Sequence, residues 1–223
     1  MFQFPINHDR ALNIDIPQGG EEWDFIRRCR IASSRTGKIV LFSKTEEEKV
    51  KTARIICGLE KEVFSDEAKD RMNVGVEYES TIRDSYTKTT GMKIFETGTC
   101  IFRQNPIFSG SPDGVFENGD VLEIKITEKE LPDFYCSDYS EIPLWYYYQM
   151  QSNMFILDST KCHYVCYSRS SGKMYTRIIP YDHERYINEV YIPCCIFYRD
   201  YIKPLIEQYC LKSPHQDYLE RNI

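Results

Sequence analysis

Apolar residues recur at helical spacing through the first part of the chain, behind an irregular lead-in over residues 1–20 that carries prolines and glycines. Acidic residues come first and basic residues last in segment 21–30, as the helix dipole prefers. Thr45 and Glu48 form a capping-box pattern, and Gly58 is a stop signal after the helix that they open. The predicted helices cover residues 21–30, a short stretch capped by Ser33 or Ser34, 45–57, and 74–90 with Gly91 as its end.

Strand-like runs replace the helical spacing after Gly91. Residues 111–116 and 121–126 flank Glu117-Asn118-Gly119-Asp120, and the Asn-Gly pair at its centre predicts a tight hairpin. Residues 161–168 and 173–180 flank Ser-Ser-Gly and predict a second hairpin.

Further helices separate and follow these hairpins. Pro143 lies where a first helical turn tolerates proline, and this predicts a helix that runs to about Leu157. Asp182 is a candidate cap for a long final helix, which we expect to bend or break near Pro193 and to end near Pro204. The order of elements favours an α/β (α+β) fold, with one central mixed β-sheet flanked by helices. We expect a single domain over residues 1–223, with its core at about 21–180 and a C-terminal helical region at about 182–212.

The composition is that of a globular protein, with 42% hydrophobic and 14% aromatic residues. A formal net charge of −6 excludes a generic cationic coat for nucleic acids, which needs a broad basic surface. Six basic residues and no acid nevertheless fall between Phe25 and Lys44, as a phosphate-binding face requires. No apolar run approaches the ~20 residues of a membrane span, and the N-terminus does not resemble a signal peptide. These features predict a soluble, intracellular protein.

The nine cysteines are irregularly spaced, which predicts reduced thiols rather than a disulfide framework. Cys162 and Cys166 fall on the same side of a predicted strand, where they are expected to be small buried hydrophobes. Cys194, Cys195 and Cys210 have the spacing of neither a zinc knuckle nor an iron–sulfur site. We therefore expect no zinc and no cluster.

Two carboxylates fall on the two arms of the first predicted hairpin, Asp113 in Ser-Pro-Asp-Gly and Glu123 in Leu-Glu-Ile-Lys. The arms of a tight hairpin lie side by side, so the two carboxylates can converge and offer hard oxygen ligands to Mg²⁺ or Mn²⁺. Lys125 shares the face of Glu123, where its ammonium can orient an attacking water. Ile124 points into the core, while its backbone carbonyl remains available to a metal.

Each half of this pattern also has an ordinary explanation. An Asp-Gly pair often marks a turn, and a Glu-x-Lys pair on a strand is often a solvated face. The two halves in this order, with the apolar pair Val121-Leu122 leading into Glu123, are a much stronger signal than either alone.

Four stretches over about residues 18–170 resemble, in order, the PD-(D/E)xK nuclease superfamily, and within it the lambda-exonuclease branch of YqaJ-type viral recombinases. The stretches are Gln18-Gly19-Gly20 with Trp23, Arg27 and Ile31–Ser34; Gly75, Tyr78, Glu79 and Arg83; Ser111–Gly114 with Leu122–Lys125; and Gln149–Gln151 with Met154. The resemblance implies a restriction-endonuclease-like core. It also implies that Asp113, Glu123, the Ile124 carbonyl and Glu79 are metal ligands and that Lys125 positions the nucleophilic water.

The resemblance further implies a pocket for a terminal 5′-phosphate, and its expected residues are Arg27, Ser34, Ser111 and Gln151. The family usually reads Thr-Ala-Ser where this chain has Ala-Ser-Ser, so Ser33 competes with Ser34 for the role. Glu79 precedes Arg83 by one helical turn, so its alternative role is a surface ion pair. Gln151 is alternatively a partly exposed position of an aromatic helix.

The leading hypothesis is a Mg²⁺- or Mn²⁺-dependent exonuclease that digests one strand of duplex DNA from a 5′-phosphorylated end, for viral or phage recombination or genome processing. One alternative is an endonuclease or a DNA/RNA nuclease of the same superfamily, similar to viral alkaline nucleases. Another is a catalytically silent nucleic-acid-binding protein, and a weaker one is a nuclease with an iron–sulfur cluster.

The implied partners are duplex DNA ends, a single-strand-annealing recombinase and, by analogy, further copies of this chain in a trimer; no membrane is implied. No glycine-rich nucleotide loop is present, so ATP use is not expected. The expected location is the host cytoplasm, or the nucleus if the host is eukaryotic.

Overall fold

The computed structural model describes residues 5–132, 135 and 141–221, with the backbone alone at 67, 68, 70–72 and 76. Two β-sheets form its framework, a four-stranded sheet in the order β1-β4-β5-β2 and a five-stranded sheet in the order β3-β6-β7-β8-β9. The strands are β1 (Ala11–Ile14), β2 (Ile31–Ala32), β3 (Ile94–Phe95), β4 (Thr99–Phe102), β5 (Phe108–Gly110), β6 (Gly114–Phe116), β7 (Val121–Thr127), β8 (Lys161–Ser168) and β9 (Met174–Pro180).

Each sheet contains one parallel pair, β2 with β5 and β7 with β8, among antiparallel neighbours. The mixed α/β class is therefore confirmed, but the one central sheet that we expected is divided into two. The lead-in expected to be irregular contains β1, which pairs with β4 about 90 residues later. Such long-range pairing leaves no local periodicity that could reveal it.

Helices cover the sheets on both faces. They are α1 (Glu21–Arg27), α2 (Ser33–Gly37), α3 (Glu46–Ile56), α4 (Asp66–Thr90), α5 (Leu144–Leu157), α6 (His183–Tyr186), α7 (Ile192–Phe197), α8 (Lys203–Gln208) and α9 (Pro214–Arg221). In the part of the chain that the structure describes, none of them is long and apolar enough to cross a membrane.

Most of the predicted helix signals are present in the structure. The Thr45 hydroxyl accepts from the Glu48 amide at 3.2 Å, and the Glu48 carboxylate accepts from the Thr45 amide at 2.9 Å. Gly58 and Gly91 follow their helices with φ of +68° and +70°, which favour glycine. Helix α4 begins at Asp66 rather than near Val74. The sequence pattern missed its first two turns because they are largely polar and show no clear apolar repeat.

Two helix starts differ from the prediction. Neither Ser33 nor Ser34 caps α2, because the helix begins at Ser33 itself, directly after Ala32. Pro143 precedes α5 as its N-cap residue rather than occupying its first turn. In both cases the predicted element is present, and only the position of its first residue is shifted.

The C-terminal helical segment runs through residues 183–208. Of the expected bend or break near Pro193, a break is therefore absent, and the segment does not end at Pro204. Wide π-helical turns at Ile187–Tyr191 and Tyr198–Ile202 come directly before α7 and α8, which carry the two prolines near their starts. A wide turn accommodates a residue that cannot donate to the carbonyl four positions back. The Asp182 cap is confirmed, since its carboxylate accepts from the Arg185 amide at 3.1 Å.

The two faces of β7 have different surroundings. Leu122 and Ile124 face a small apolar cluster under α4 that includes Ile82, Tyr86 and Val165. The intervening residue Glu123 faces α5, which also contributes to the main core. Cys162 and Cys166 are buried in this main core as predicted, and the cysteines of the described residues are free thiols. Strand β7 thus presents its polar residues on one side only.

Candidate active site

The β6–β7 hairpin brings Asp113 and Glu123 to adjacent places on the sheet. Gly114 pairs with Leu122 in the antiparallel register, and the Asp113 amide donates to the Leu122 carbonyl at 3.2 Å. The Asp113 carboxylate then accepts from the Ile124 amide at 2.5 Å, across the end of the ladder. Asp113 is therefore held against the backbone that follows Glu123. This is the juxtaposition that the Asn-Gly turn predicts.

Glu123 is fully buried and its carboxylate is surrounded by donors. Oε1 accepts from Gln149 Nε2 at 2.6 Å and is in close contact with Lys125 Nζ, while Oε2 accepts from Asn153 Nδ2 at 3.3 Å. Burial raises the pKa of Glu123 to about 7; Asp113 adds to this rise, whereas the Lys125 ammonium opposes it. The carboxylate is consequently poised to change its charge near neutral pH.

Lys125 lies on the same face of β7 as Glu123, and its ammonium forms an ion pair with that carboxylate. Its Nζ also lies 4.9 Å from the centroid of the Tyr146 ring, a cation–π contact. Burial lowers the pKa of Lys125, but Glu123 and Asp113 outweigh it and the net shift is upward. Lys125 therefore keeps its positive charge at every pH at which a nuclease would work.

Glu79 of α4 is linked to Asp113 by Arg83, which binds both residues. The Arg83 guanidinium donates from Nε to the Asp113 carbonyl at 2.9 Å and from Nη2 to Glu79 at 2.5 Å, and it also binds Glu96. The ion pair considered from the sequence is thus present. Burial and the nearby Asp113 charge together raise the pKa of Glu79 to about 7 against the opposing effect of Arg83, so Glu79 also belongs electrostatically to the carboxylate group.

The carboxylates of Asp113, Glu123 and Glu79 influence one another electrostatically. Burial raises the pKa of Asp113 as well as those of Glu123 and Glu79, while Lys125 and Arg83 oppose the rise. Within the described residues, no three His, Cys, Asp or Glu side chains are close enough to enclose a metal ion on their own. Mg²⁺ needs no such enclosure, because it commonly uses one or two carboxylates together with water and substrate phosphate oxygens.

Arg27 lines a cavity of about 490 Å³ between α1, α2 and the end of α3, and it contacts Ser34 of α2. Arg27 Nη2 donates to Ser34 Oγ at 3.0 Å, and the guanidinium stacks on the Trp23 ring at 3.7 Å. Burial and the neighbouring Arg35 lower the pKa of Arg27 to about 10, which still leaves it charged at neutral pH. Buried Ser33 instead donates to the Ser109 carbonyl at 3.2 Å, so only Ser34 faces the arginine.

The other two residues expected at the phosphate pocket have different surroundings. Ser111, two residues before Asp113, makes a 3.3 Å hydroxyl contact with Thr99. Gln151 is buried on the face of α5 opposite Gln149, and its amide donates to the Pro180 carbonyl at 2.9 Å and accepts from the Asp182 amide at 2.8 Å. Its polar atoms therefore join the end of β9 to the start of α6 and hydrogen-bond there rather than to Arg27 or Ser34.

Three residues of α5 contact Glu123 or Lys125, a role that the sequence pattern did not predict for them. Gln149 and Asn153 are one helical turn apart and both bind Glu123, and Tyr146 contacts Lys125. The available signal was a pair of amide residues four positions apart in an otherwise apolar helix. A side chain on Gly110 would meet Asn153 Oδ1 at 2.5 Å, so a glycine is needed beneath this contact.

Several solved structures resemble the fold of this chain. The chain resembles LHK-Exo bound to dAMP at 20% identity and a TM-score of 0.67, over 86% of this chain and 98% of that one. It resembles a second structure of LHK-Exo, an alkaline exonuclease from Laribacter hongkongensis, at 21% identity and a TM-score of 0.63, over 91% and 97% of the two chains.

A phage-related exonuclease from Haemophilus somnus 129PT is 16% identical with a TM-score of 0.60, over 83% of this chain and 99% of that one. At identities this low, the structural similarity shows a shared fold and nothing more. No curated protein matches the chain. The sequence profile of one family does match, over residues 22–163, which is more than half of the chain. The protein therefore belongs to the family of the YqaJ-like viral recombinase domain.

Proposed function

We propose that this protein is a metal-dependent DNA exonuclease that digests one strand of a duplex from its 5′-phosphorylated end, in viral or phage recombination or genome processing. Family membership and the fold shared with exonucleases support the nuclease class. The observation that carries the proposal is the meeting of Asp113, Glu123 and Lys125 at one end of the β6–β7 hairpin. Trimeric assembly and a single-strand-annealing recombinase partner are further proposals, made by analogy.

In this proposal Asp113 and Glu123 hold Mg²⁺ or Mn²⁺, with the Ile124 carbonyl and Glu79 as additional ligands. The bound cation would polarise the scissile phosphodiester and lower the pKa of the attacking water. Lys125 orients that water and offsets the negative charge that develops on the phosphorus-bound oxygens. Arg83 fixes the backbone of Asp113 while Gln149 fixes the Glu123 carboxylate, so that neither has to reorganise during the reaction.

The reaction balances as a hydrolysis. The water oxygen bonds to the phosphorus, and the bond from phosphorus to the 3′-oxygen of the terminal nucleotide breaks. That oxygen takes up a proton and leaves with the released nucleotide. The shortened strand begins again with a 5′-phosphate, so each cycle regenerates the end group that the enzyme recognises.

Arg27 and Ser34 are the proposed contacts for this end phosphate, with Ser111 as a further donor beside Asp113. A planar guanidinium binds phosphate oxygens through paired donors, and a hydroxyl adds a neutral one. Trp23 supports the guanidinium from one side, which leaves its edge for the ligand. Arg27 supplies the only formal positive charge among the three residues.

The engagement of Gln151 with Pro180 and Asp182 favours a second candidate, an endonuclease on the same catalytic core. Without that amide the end pocket rests on fewer contacts, and an endonuclease needs no end pocket. The two functions differ in their use of DNA ends.

Digestion of linear duplexes labelled at one 5′ end, with either a 5′-phosphate or a 5′-hydroxyl, separates these functions. With Mg²⁺ present, we expect mononucleotide release that is faster from the phosphorylated end, and no cutting of covalently closed circles. Efficient cutting of closed circles together with indifference to the 5′ group would instead establish the endonuclease.

A further inference from the structure

A row of aromatic rings leads from Lys125 to the surface of the protein. Lys125 Nζ lies over the ring of Tyr146, whose centroid is 5.6 Å from that of Trp145. The Trp145 ring in turn lies 5.9 Å from the ring of Phe42, at the end of the π-helical turn Lys38–Phe42. The row is therefore continuous from the group that would act on the phosphodiester to the outer edge of α2 and α5.

The outer members of this row are more exposed than a packing role requires. Trp145 is 44% exposed and Phe42 is 54% exposed, although both are large apolar side chains. Their backbones are nevertheless held firmly, because α2 and α5 approach so closely that a Cβ on Gly37 would meet Trp145 Cβ at 2.6 Å. The result is an aromatic surface that is preformed and open to a ligand.

Helix geometry places this surface within reach of the proposed catalytic group. Trp145 precedes Gln149 by four residues, so both lie on one face of α5 and are about 6 Å apart along its axis. Gln149 itself contacts Glu123. A phosphate held beside Lys125 at this site therefore carries a base that can reach the indole.

The charge around the row favours a nucleic-acid strand as the occupant. The Lys125 ammonium lies at the inner end of the row, and exposed Lys44 follows Phe42 by two residues at the outer end. Basic grooves lined by aromatic rings are the common means of holding single-stranded DNA, since every base has a π-face. A second protein chain on this surface would instead cover the approach to Lys125.

We propose that the Trp145–Phe42 surface binds an unpaired nucleobase of the strand being digested, stacked on the outer face of the indole. This inference rests on the proposed function, because it takes the strand that enters the carboxylate site as its ligand. It adds a base-binding site that holds the terminal nucleotides apart from the complementary strand.

Photocrosslinking tests the location of the base. Duplexes with a short unpaired 5′ end carry 5-iododeoxyuridine at one of the first three nucleotides, and the reaction is run in EDTA so that the strand stays intact. We expect one of these positions to crosslink to Trp145 or Phe42, identified by mass spectrometry of the peptide. Crosslinks confined to other residues would overturn the inference.

Binding measurements test whether the contact stabilises the complex. Trp145→Ala retains the Cβ against which Gly37 packs, and should bind the same DNA about 5- to 100-fold more weakly, the range expected for one base–aromatic stack. Trp145→Phe should remain within a few-fold of the wild type. Leu144→Ala removes a neighbouring exposed apolar side chain outside the row and should have no effect, provided that all variants unfold at similar temperatures.

An abasic nucleotide at the crosslinked position completes a double-mutant cycle. If the indole contacts that base, Trp145→Ala should weaken binding of the abasic strand less than twofold, because the partner is already missing. Equal losses on normal and abasic strands would contradict a stack. A change in the oligomeric state of Trp145→Ala in sedimentation, with unchanged DNA affinity, would show a subunit contact instead.

The cleavage assay on the same preparations separates this inference from the proposed function. The base site alone would be refuted if the wild type cleaves DNA from the 5′ end but does not crosslink at Trp145 or Phe42, and Trp145→Ala binds DNA as tightly as the wild type. A base stacked on Trp145 in a protein that does not cut DNA with Mg²⁺ or Mn²⁺ would refute the proposed function alone. A wild type that binds no DNA would refute both.

Discussion

Gln149 and Lys125 donate to the same carboxylate oxygen, Oε1 of Glu123, one from α5 and the other from the same strand. The amide contributes a hydrogen bond at 2.6 Å without adding charge, while the ammonium supplies the charge. Glu123 is fully buried, so each of these donors offsets part of the free energy that its ionised form loses on leaving water. A residue of α5, distant in sequence from the hairpin, therefore helps to set the chemistry of Glu123.

Gln149→Ala removes the neutral donor and should raise the pKa of Glu123 further. A hydrogen bond to a charged group contributes about 1.5–3 kcal/mol, so we expect roughly a 10- to 100-fold loss of kcat at neutral pH. The acidic limb of the pH–rate profile should move to higher pH, and activity should partly recover in alkaline buffer. Gln151→Ala is the matched control on the opposite face of α5, and it should lower the melting temperature without moving that limb.

Lys125→Met keeps much of the bulk of the side chain and removes its charge. We expect a loss of roughly a hundredfold or more in single-turnover rate, the size associated with losing one electrostatic contact to the transition state. DNA affinity in EDTA should change little. Lys129→Met, at an exposed position beyond β7, serves as the control for a general loss of positive charge. An unchanged rate in Lys125→Met would show that Lys125 has no part in catalysis.

The raised carboxylate pKa values predict how pH affects stability in the absence of metal. The pKa of Glu123 in the folded protein is about 7, against an ordinary value of 4.5. Between these two values the folded state binds more protons than the unfolded state, so stability falls as pH rises. We expect the melting temperature of the metal-free wild type to fall more between pH 5.5 and pH 8 than that of Glu123→Gln, in which position 123 cannot titrate.

Metal binding should reverse this pH effect. A divalent cation stabilises the ionised carboxylates and displaces protons from them, so Mg²⁺ should raise the melting temperature more at pH 8 than at pH 6. In Glu123→Gln the Mg²⁺ effect should be much smaller at both pH values. An equal effect of Mg²⁺ on the wild type and on Glu123→Gln would show that the ion binds elsewhere.

Arg27→Ala should remove most of the preference for a 5′-phosphate. A charge-assisted hydrogen bond to phosphate contributes about 1.5–3 kcal/mol, which corresponds to a 10- to 100-fold loss of kcat/KM on phosphorylated ends. The loss on 5′-hydroxyl ends should be far smaller, because the ligand of the guanidinium is absent there. Equal losses on the two kinds of end would make Arg27 a general backbone contact.

Local patterns in the sequence predict the parts of this molecule that depend on near neighbours. The Thr45 capping box, the glycine helix ends and the Asn-Gly hairpin follow from interactions a few residues apart, and the hairpin also brings Asp113 to Glu123. The pairing of β1 with β4 and the division into two sheets depend on residues distant in sequence.

The contacts of α5 also depend on residues distant in sequence. The amide pair of Gln149 and Gln151 is visible in the sequence, but the packing of α5 against β7 and β9 decides which amide faces Glu123. That packing turns Gln149 toward the carboxylate and Gln151 toward Pro180. The resemblance named the second of these, and its hydrogen bonds to Pro180 and Asp182 are visible only in three dimensions.

The most direct measurement is metal-dependent nucleotide release from a 5′-phosphorylated linear duplex by the wild type, Asp113→Ala and Glu123→Ala, with DNA affinity measured in parallel. We expect the wild type to release nucleotides with Mg²⁺ or Mn²⁺ and to stop in EDTA. Both variants should bind DNA with near wild-type affinity, fold normally and release nothing. Persistent release by either variant, or full wild-type activity in EDTA, would contradict a metal-dependent nuclease site built on the two arms of the β6–β7 hairpin.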